Sequence, residues 1–223
     1  MKLFSKSKRK SLDLSNRLIT VSSRSPVAEQ LQTLRTNITF SMMNQAANSI
    51  MFTSPESGDG RSIIAANMAI AWASQGQRVL LIDADFRHPS MHKIFQKQDY
   101  RGLRDALLTR QVNYQRDIQD SDIENLSIMT SGTGIKNDVS LIKTERIPHL
   151  LMQFKQVYDL VVIDVPSLMD VSDTQVLASQ VDGVVLVIRQ GHTTKMSVDR
   201  SIELLQMADA NLLGYAMNSA GSE

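Results

Sequence analysis

The sequence contains no cysteine, which excludes disulfide bonds, thiolate metal sites and a cysteine nucleophile. It also lacks any apolar run close to the roughly 18 residues that a membrane-spanning helix needs. The basic N-terminus has no apolar segment of the kind found in secretion signals. We therefore expect a protein of the reducing cytoplasm, whose contact with the cell membrane would be peripheral and at its inner face.

Excess charge of one sign is scarce as well, because the formal net charge of the chain is +1. A nucleic-acid-binding domain is normally strongly basic, so we expect no nucleic-acid partner. The exception is the segment 1–17, which contains six Lys or Arg residues and one acidic residue, Asp13. We predict that residues 1–24 form a basic flexible tail. This tail is either a solvated chain end or an electrostatic tether to an anionic membrane surface.

Short apolar runs alternate with helical segments along the rest of the chain. The runs predict strands at 50–53, 79–82, 126–130, 160–165, 184–188 and 212–217. Helices are predicted at about 26–43, 62–75, 102–110, 144–157, 172–181 and 194–208. Because the runs are apolar throughout, they are typical of strands covered on both faces. The order predicts a single α/β domain over 25–223 with a doubly wound, mostly parallel sheet, and a ligand site at the carboxyl ends of its strands.

The strongest local motif is the segment 53–62, TSPESGDGRS, which joins the first predicted core strand to a helix. A phosphate-binding loop needs glycines that let backbone N–H groups converge, a cation, and a hydroxyl for magnesium. These requirements are met by Gly58, Gly60, Arg61 and Ser62. Against the pattern GxxxxGK[ST], Pro55 occupies the first glycine position and Arg61 the lysine position. An ordinary turn followed by a helix cap would look similar.

Three acidic residues stand at the ends of predicted core strands. Asp83 and Asp85 follow the second strand of the core, and Asp164 ends the strand that begins at Leu160. Each acid alone could cap a helix or lie in a solvated loop. Together with the glycine loop at the same edge of a parallel sheet, they indicate a site for a magnesium-bound nucleotide.

Four segments carry a resemblance to a known family: EQLQTLRTNI at 29–38, SPESGDGRS at 54–62, LLIDADFRHP at 80–89 and DLVVIDVPS at 159–167. In this order they resemble the bacterial tyrosine kinases, which are cytoplasmic P-loop kinases that regulate capsule and exopolysaccharide synthesis. The resemblance extends from about residue 26 to 218. It implies a P-loop fold and an ATP-dependent protein-tyrosine kinase that uses Mg²⁺.

The resemblance also implies roles for individual residues. Those expected to be catalytic are Arg61, Asp83, Asp85 and Asp164. Those expected to bind the nucleotide are Ser57, Gly58, Asp59, Gly60, Arg61, Ser62, Ile63 and Asn218. Those expected to hold the metal are Ser62, Asp83 and Asp164. The implied partners are a membrane-anchored activator protein of the polysaccharide machinery and further copies of the chain, contacted through Glu29 and Arg35.

Several departures from the family pattern bear on activity. Arg61 replaces the usual lysine, and its planar guanidinium is bulkier than an ammonium, so we expect impaired phosphoryl transfer. Gln32 replaces the central arginine of the family's ExxRxxR assembly motif. The family's C-terminal tyrosine cluster has no counterpart after Ser219, so the acceptor tyrosine is expected to come from another chain.

Two alternatives remain open at this point. One is a pseudokinase that regulates a partner with little phosphoryl transfer. The other is a partition or cell-division ATPase of the deviant Walker type, which shares this sheet. The second alternative requires an additional lysine early in the loop, where Glu56 stands here.

Overall fold

The computed structural model describes residues 18, 25–43, 47–108, 114–133 and 146–219. Its α-helices are α1 (Pro26–Met42), α2 (Arg61–Ala73), α3 (Met91–Ile94), α4 (Leu103–Leu108), α5 (Arg146–Val157), α6 (Asp173–Ala178) and α7 (Lys195–Met207). Its strands are β1 (Ser49–Thr53), β2 (Val79–Asp83), β3 (Gln119–Asp120), β4 (Leu126–Met129), β5 (Leu160–Asp164), β6 (Gly183–Arg189) and β7 (Leu212–Asn218). A 3-10 helix spans Tyr114–Asp117. Except for Leu18, the predicted basic tail lies outside the described residues.

The seven strands form one sheet in the order β3-β4-β2-β5-β1-β6-β7. All neighbouring strands are parallel except β3 and β4, which are antiparallel. After β1 the chain continues to β2 on one side, and later to β6 and β7 on the other. Ligand crevices of open α/β sheets lie where the strand order reverses in this way, at the carboxyl ends. The predicted fold class is confirmed.

Two hydrophobic cores lie on opposite faces of the sheet, because successive side chains of a strand point to opposite sides. Ile50 and Phe52 of β1 face a core that includes α1, α2 and α3. Met51 faces a second core, which includes residues of α4, α5, α6 and α7. Both faces of the central strands are therefore covered by helices, as their continuous apolar sequences predict.

Helix α2 is buried over most of its length, which fixes the end that begins at the glycine loop. Small side chains at positions such as Ala65 and Ala69 let the helix approach the sheet closely. Near its C-terminus, the Trp72 ring lies edge-on to Phe52 at 6.5 Å between centroids. The Trp72 indole also donates a 3.3 Å hydrogen bond to the hydroxyl of Thr39 in α1. These contacts hold α2, and with it the glycine loop, against the sheet.

The sequence did not predict two short elements, β3 and α3. It also predicted that β7 would be buried on both faces, which is wrong. β3 contains only two polar residues, and α3 spans a single turn, so neither has enough residues to establish a periodicity. β7 is an edge strand in which only Ala216 is buried, although its sequence predicts cover on both faces. Tyr215 lies in this strand with its side chain 65% exposed. Within the described residues, no helix combines the length and apolar character needed to cross a bilayer.

Asp182, the residue before β6, links the N-terminal ends of β1 and β6 through hydrogen bonds. One of its carboxylate oxygens accepts hydrogen bonds of 2.8 Å from the backbone N–H groups of Asn48 and Ser49 and from the Ser49 hydroxyl. The Lys155 ammonium of α5 contacts the same carboxylate at 2.7 Å. Burial favours the neutral acid, but these donors hold the pKa of Asp182 below its ordinary value. The carboxylate therefore stabilises the fold when it is charged.

Replacing Asp182 with alanine is expected to lower the free energy of unfolding at pH 7 by about 2 kcal/mol or more, because several hydrogen bonds to one charged group are lost. Since the pKa is lowered in the folded state, this contribution is present above the ordinary pKa and is lost as the pH falls below it. Urea unfolding at pH 7 and at pH 3 measures the effect. The exposed Asp122→Ala provides the matched control. Equal loss in both variants at pH 7 would contradict the assignment.

Candidate functional site: a glycine loop beside buried carboxylates

The glycine loop connects the carboxyl end of β1 to the first residue of α2. Gly58 and Gly60 have positive φ angles of 92° and 86°, which side chains other than glycine rarely tolerate. A Cβ atom on Gly60 would also meet the Asn218 side-chain nitrogen, so a side chain at position 60 would displace that amide. Gly60 is the N-cap of α2 and supplies no capping side chain. The N–H groups of this helix end are thus suited to an anion, as at phosphate-binding helix termini.

Three carboxylates meet at the same edge of the sheet. Asp83 at the end of β2 lies directly beside Asp164 at the end of β5, because the two residues are register partners. Asp85 follows two positions after Asp83, and all three residues are at most 1% exposed. Burial and the charge of Asp164 raise the pKa of Asp83 to about 8. Burial also raises the pKa of Asp164 to about 6, although the Arg61 charge and the Ser62 hydroxyl oppose this rise.

Asp83 and Asp85 also shape the loop that follows β2. One Asp83 oxygen accepts hydrogen bonds from the N–H groups of Ser90 at 2.8 Å and Met91 at 2.9 Å, at the start of α3. The other oxygen accepts from the N–H of Asp85 at 3.1 Å. Asp85 in turn accepts from the N–H groups of Arg87 at 3.1 Å and His88 at 2.9 Å. Both acids therefore have backbone partners in this loop.

The side chain of Arg61 points at the carboxylates and is buried. Its terminal nitrogen forms an ion pair with Asp85, and its Nε atom lies 3.4 Å from Asp164 Oδ1. The sequence places Arg61 where a phosphate-binding lysine is expected. In the structure, the guanidinium instead neutralises part of the negative charge of the acids. Contact between Arg61 and a phosphate remains a prediction.

Asp164 is a buried carboxylate with few polar partners. Its two oxygens are buried and accept no hydrogen bond within the described part of the chain. The charge of Asp164 is offset in part by the Arg61 guanidinium, whose Nε lies 3.4 Å from Oδ1. A second cation beside this buried carboxylate would further lower the cost of its burial. The two oxygens of Asp83, in contrast, already accept three backbone hydrogen bonds. No group of three or more His, Asp or Glu residues suited to a metal occurs among the described residues. A magnesium-nucleotide site needs only one or two carboxylates.

The remaining residues predicted to bind nucleotide occupy different environments. Ser57 and Gly58 are exposed, whereas Ser62 and Ile63 are half-buried. Asp59 is fully buried, so its carboxylate points into the protein. The Asn218 side chain donates a 2.8 Å hydrogen bond to the Asp59 carbonyl. All the predicted site residues are therefore drawn together around the end of β1, but their roles in binding remain predictions.

Sequence reasoning missed the segment after β6, which borders the loop. The Arg189 guanidinium donates a 3.2 Å hydrogen bond to the Gly58 carbonyl. His192 and Thr193 contact the Asp59 carboxylate. The available signal was position: these polar residues follow a core strand, and parallel strands end at the same edge. The family motif that named the other residues did not include them.

The two residues predicted to mediate self-association lie on α1, away from this loop in the chain. Glu29 is exposed, and Arg35 is half-buried. The Nε atom of Arg35 donates a 3.0 Å hydrogen bond to Gln32, the residue that replaces the central arginine of the motif. Arg35 therefore has an internal partner in its own helix, and its role between chains remains a prediction.

The raised pKa of Asp164 makes the folded state sensitive to pH. Between the ordinary aspartate pKa and the folded value of about 6, the folded protein binds more protons than the unfolded chain. Stability therefore falls as the pH rises through this interval. Asp164→Asn removes the charge. We expect the variant to match the parent below about pH 4 and to be more stable above about pH 6, by up to about 3 kcal/mol.

Urea unfolding in magnesium-free buffer from pH 4 to pH 8 measures this difference. Asp122→Asn is the control, because the side chain of Asp122 is 95% exposed. It is expected to follow the parent at every pH. If Asp164→Asn were no more stable than the parent at pH 8, burial of the charged Asp164 carboxylate would not lower the free energy of unfolding, and the assignment would be wrong.

Comparison with known proteins places these features in a family. A family profile described as an AAA domain matches residues 47–212. Tyrosine-protein kinase YwqD of Bacillus subtilis (strain 168) is 37% identical over 191 residues, which cover 86% of this chain and 80% of the relative. The putative tyrosine-protein kinase CapB of Staphylococcus aureus is 33% identical over 195 residues, covering 87% of this chain and 85% of the relative.

Solved structures agree with these matches. The chimerical protein CapA2B2 superposes with a TM-score of 0.86 at 33% identity, covering 93% of this chain and 91% of that one. The kinase domain of the Escherichia coli tyrosine kinase ETK has a TM-score of 0.82 at 30% identity, covering 87% and 78%. The septum site-determining protein MinD of Pyrococcus horikoshii OT3 shares the fold, with a TM-score of 0.64 at 22% identity. The chain belongs to the bacterial tyrosine kinase family and contains its P-loop nucleotide-binding domain.

Proposed function

We propose that this protein is a protein-tyrosine kinase that uses ATP and Mg²⁺ and regulates the synthesis of capsular or extracellular polysaccharide. The observation that carries the proposal is the convergence of the glycine loop, Arg61 and three buried carboxylates at the end of β1. Family membership supports the tyrosine kinase chemistry. The reaction would transfer the γ-phosphoryl group of ATP to the hydroxyl of a tyrosine on another chain, with ADP as the leaving group.

The nucleotide phosphates would bind to the backbone N–H groups of the segment 57–63. The two left-handed glycines and the open N-terminus of α2 support this assignment, because successive N–H groups there can face one anion. Asn218 would border the nucleotide, since its amide already touches the loop at Asp59. The backbone supplies much of this affinity whatever side chain stands at position 61.

Magnesium would be held by the Ser62 hydroxyl and the Asp164 carboxylate. The Asp83 carboxylate would lie directly beside Asp164 and add to the negative charge of the site. The buried oxygens of Asp164, which accept no hydrogen bond within the described residues, support its role as a direct ligand. When bound, the metal supplies positive charge next to the transferring phosphoryl group. Asp83 would act mainly by orienting the loop after β2. Because its pKa is raised to about 8, its carboxyl group is also suited to exchanging a proton near neutral pH.

The rate of phosphoryl transfer would depend strongly on Arg61. Its pairing with Asp85 and Asp164 favours a weakened kinase, because a guanidinium engaged by two acids is less free to follow the γ-phosphoryl group. This same observation supports the alternative function, a pseudokinase that binds nucleotide and regulates a partner. The division-ATPase alternative rests only on fold likeness at 22% identity to MinD.

The partner would be a membrane-anchored activator of the polysaccharide machinery. Similarity to the chimerical protein CapA2B2 supports such a partner. The basic segment 1–17 would add attraction to anionic lipid at the inner face of the membrane, at about 1 kcal/mol per cation near the surface. Self-association through Glu29 and Arg35 would be weaker than in relatives that keep the central arginine, because Gln32 carries no charge.

Removal of a metal ligand is expected to abolish the effect of magnesium on nucleotide affinity. Calorimetry of ADP and ATP binding with and without magnesium should show tighter binding with the metal in the parent. Ser62→Ala and Asp164→Asn should lose this tightening but keep the metal-free affinity, because the backbone donors remain. Ser74→Ala, at the other end of α2, is the matched control. Retained tightening in Asp164→Asn would refute the metal assignment, and absence of binding at millimolar nucleotide would refute the site.

Arg61→Lys is expected to raise ATP hydrolysis and phosphoryl transfer above the parent. An ammonium is compact and can lie along the phosphate oxygens, whereas misplacing charge by about 1 Å can cost on the order of 100-fold in rate. Transfer of radiolabelled phosphate to a tyrosine-containing polymer, with an activator peptide present, measures the change. Arg78→Lys is the matched control, since Arg78 pairs with Asp159 at the exposed opposite end of β2. Equal rates in Arg61→Lys and the parent would refute the argument.

A further inference from the structure

Asp59 is an acidic residue in the middle of a loop suited to anions, and its orientation is unusual for such a place. A carboxylate directed at bound phosphate would repel it. Asp59 avoids this conflict because its side chain turns inward and is fully buried. One of its oxygens, Oδ2, accepts a 3.1 Å hydrogen bond from the N–H of Glu56 at the start of the loop.

The other oxygen of Asp59 reaches the segment between β6 and α7. Oδ1 accepts a 2.7 Å hydrogen bond from the Thr193 hydroxyl and lies 3.0 Å from Nδ1 of His192. The Thr193 hydroxyl also accepts a 2.7 Å hydrogen bond from the N–H of Arg189. These contacts form a continuous chain of hydrogen bonds from the end of β6, through Thr193, into the glycine loop.

Backbone atoms of the loop have partners on the same side. The Gly58 carbonyl accepts a hydrogen bond from the Arg189 guanidinium, and the Asp59 carbonyl accepts one from Asn218 at the end of β7. The Ser197 hydroxyl and the N-terminal end of α7 hold the pKa of Glu56 below its ordinary value. The loop is therefore anchored to β6, β7 and α7 as well as to its own flanking elements.

We propose that Asp59 and Thr193 form a positioning pair that holds the glycine loop in its phosphate-binding shape. The inference rests on the proposed nucleotide function of this loop. Its physical basis is that Asp59 lies between two glycines, and glycines leave a backbone free to adopt many conformations. Convergent N–H groups bind phosphate more tightly when that freedom is removed beforehand, because less ordering entropy is then lost on binding. The buried hydrogen bonds of Asp59 remove it.

The Thr193 hydroxyl offers the sharpest test, because valine has nearly the same shape without the hydroxyl. Thr193→Val breaks the bonds to Asp59 and to the Arg189 N–H, whereas Thr193→Ser keeps a hydroxyl at the same place. Hydrogen bonds to charged groups are the stronger ones, so we expect Thr193→Val to weaken ADP affinity on the order of 10-fold. Thr193→Ser should restore the parent affinity. Thr36→Val, on the exposed side of α1, is the matched control.

A second measurement separates this proposal from the proposed function. Amide hydrogen exchange of residues 56–62 in the nucleotide-free protein reports the rigidity of the loop directly. We expect faster exchange there in Thr193→Val, parent-like exchange in Thr193→Ser and in Thr36→Val, and unchanged exchange in the central strands of all three. Exchange in the loop that is equal in Thr193→Val and the parent would overturn the positioning pair.

The two readouts fail in different ways. If the parent bound no ADP but Thr193→Val still loosened the loop, the proposed nucleotide function would fail while the positioning contact would stand. If ADP bound equally well to the parent and Thr193→Val, the positioning role would be overturned while the proposed function would stand. Uniformly faster exchange throughout Thr193→Val would mean that the hydroxyl supports the whole fold rather than the loop, which would also overturn the proposal.

Discussion

The burial of Arg61 against Asp85 and Asp164 is the interaction on which the carboxyl edge of the sheet depends. Three carboxylates are crowded there in a region almost closed to water. Buried charges of one sign are tolerated only when they are paired, hydrogen-bonded or neutralised by a proton. The single guanidinium pairs with two of the acids. The third, Asp83, relies on backbone N–H groups and on a raised pKa.

This arrangement makes a guanidinium, a proton and a metal cation competitors for the same oxygens. Each would relieve the cost of the buried acids, and in the proposed mechanism a metal cation would also bring positive charge to the nucleotide. A site that is costly without its ligand is typical of functional regions, where stability is given up for binding or chemistry. The Arg61 pairing reduces that cost in the metal-free protein. In the proposed mechanism it also links the identity of residue 61 to stability and to catalysis at once.

Rigid and flexible parts of the site are stabilised in different ways. The carboxylates stand at the ends of buried strands, whose positions are fixed by packing on two faces of the sheet. The glycine loop is anchored by the packing of α2 and, on its other side, by individual hydrogen bonds to Arg189 and Thr193 in the segment 189–193. A small displacement of α7 or of that segment would therefore change the loop before it changed the sheet.

The sequence by itself determined the alternation of strands and helices, the fold class and the edge of the sheet at which the candidate site residues meet. It could do so because continuous apolar runs, glycines in a loop and acids at strand ends reflect local requirements of backbone and burial. It also named Arg61 and Asp164 as candidate site residues, since both lie within contiguous motifs, and their roles remain predictions. The two-residue β3 and the exposure of β7 could not be predicted, because they depend on which strands lie at the edges of the sheet.

Only the tertiary structure decided how the side chains of the site are used. The pairing of Arg61 with Asp85 spans 24 positions, and that of Asp59 with Thr193 spans 134. Such contacts arise when distant strands end at the same edge, and no local pattern encodes the direction in which a side chain then turns. The inward orientation of Asp59, the burial of the Asp164 oxygens and the raised pKa of Asp83 follow from burial by the whole fold. Burial is a property of the assembled sheet and helices, and so it could not be read from any one motif.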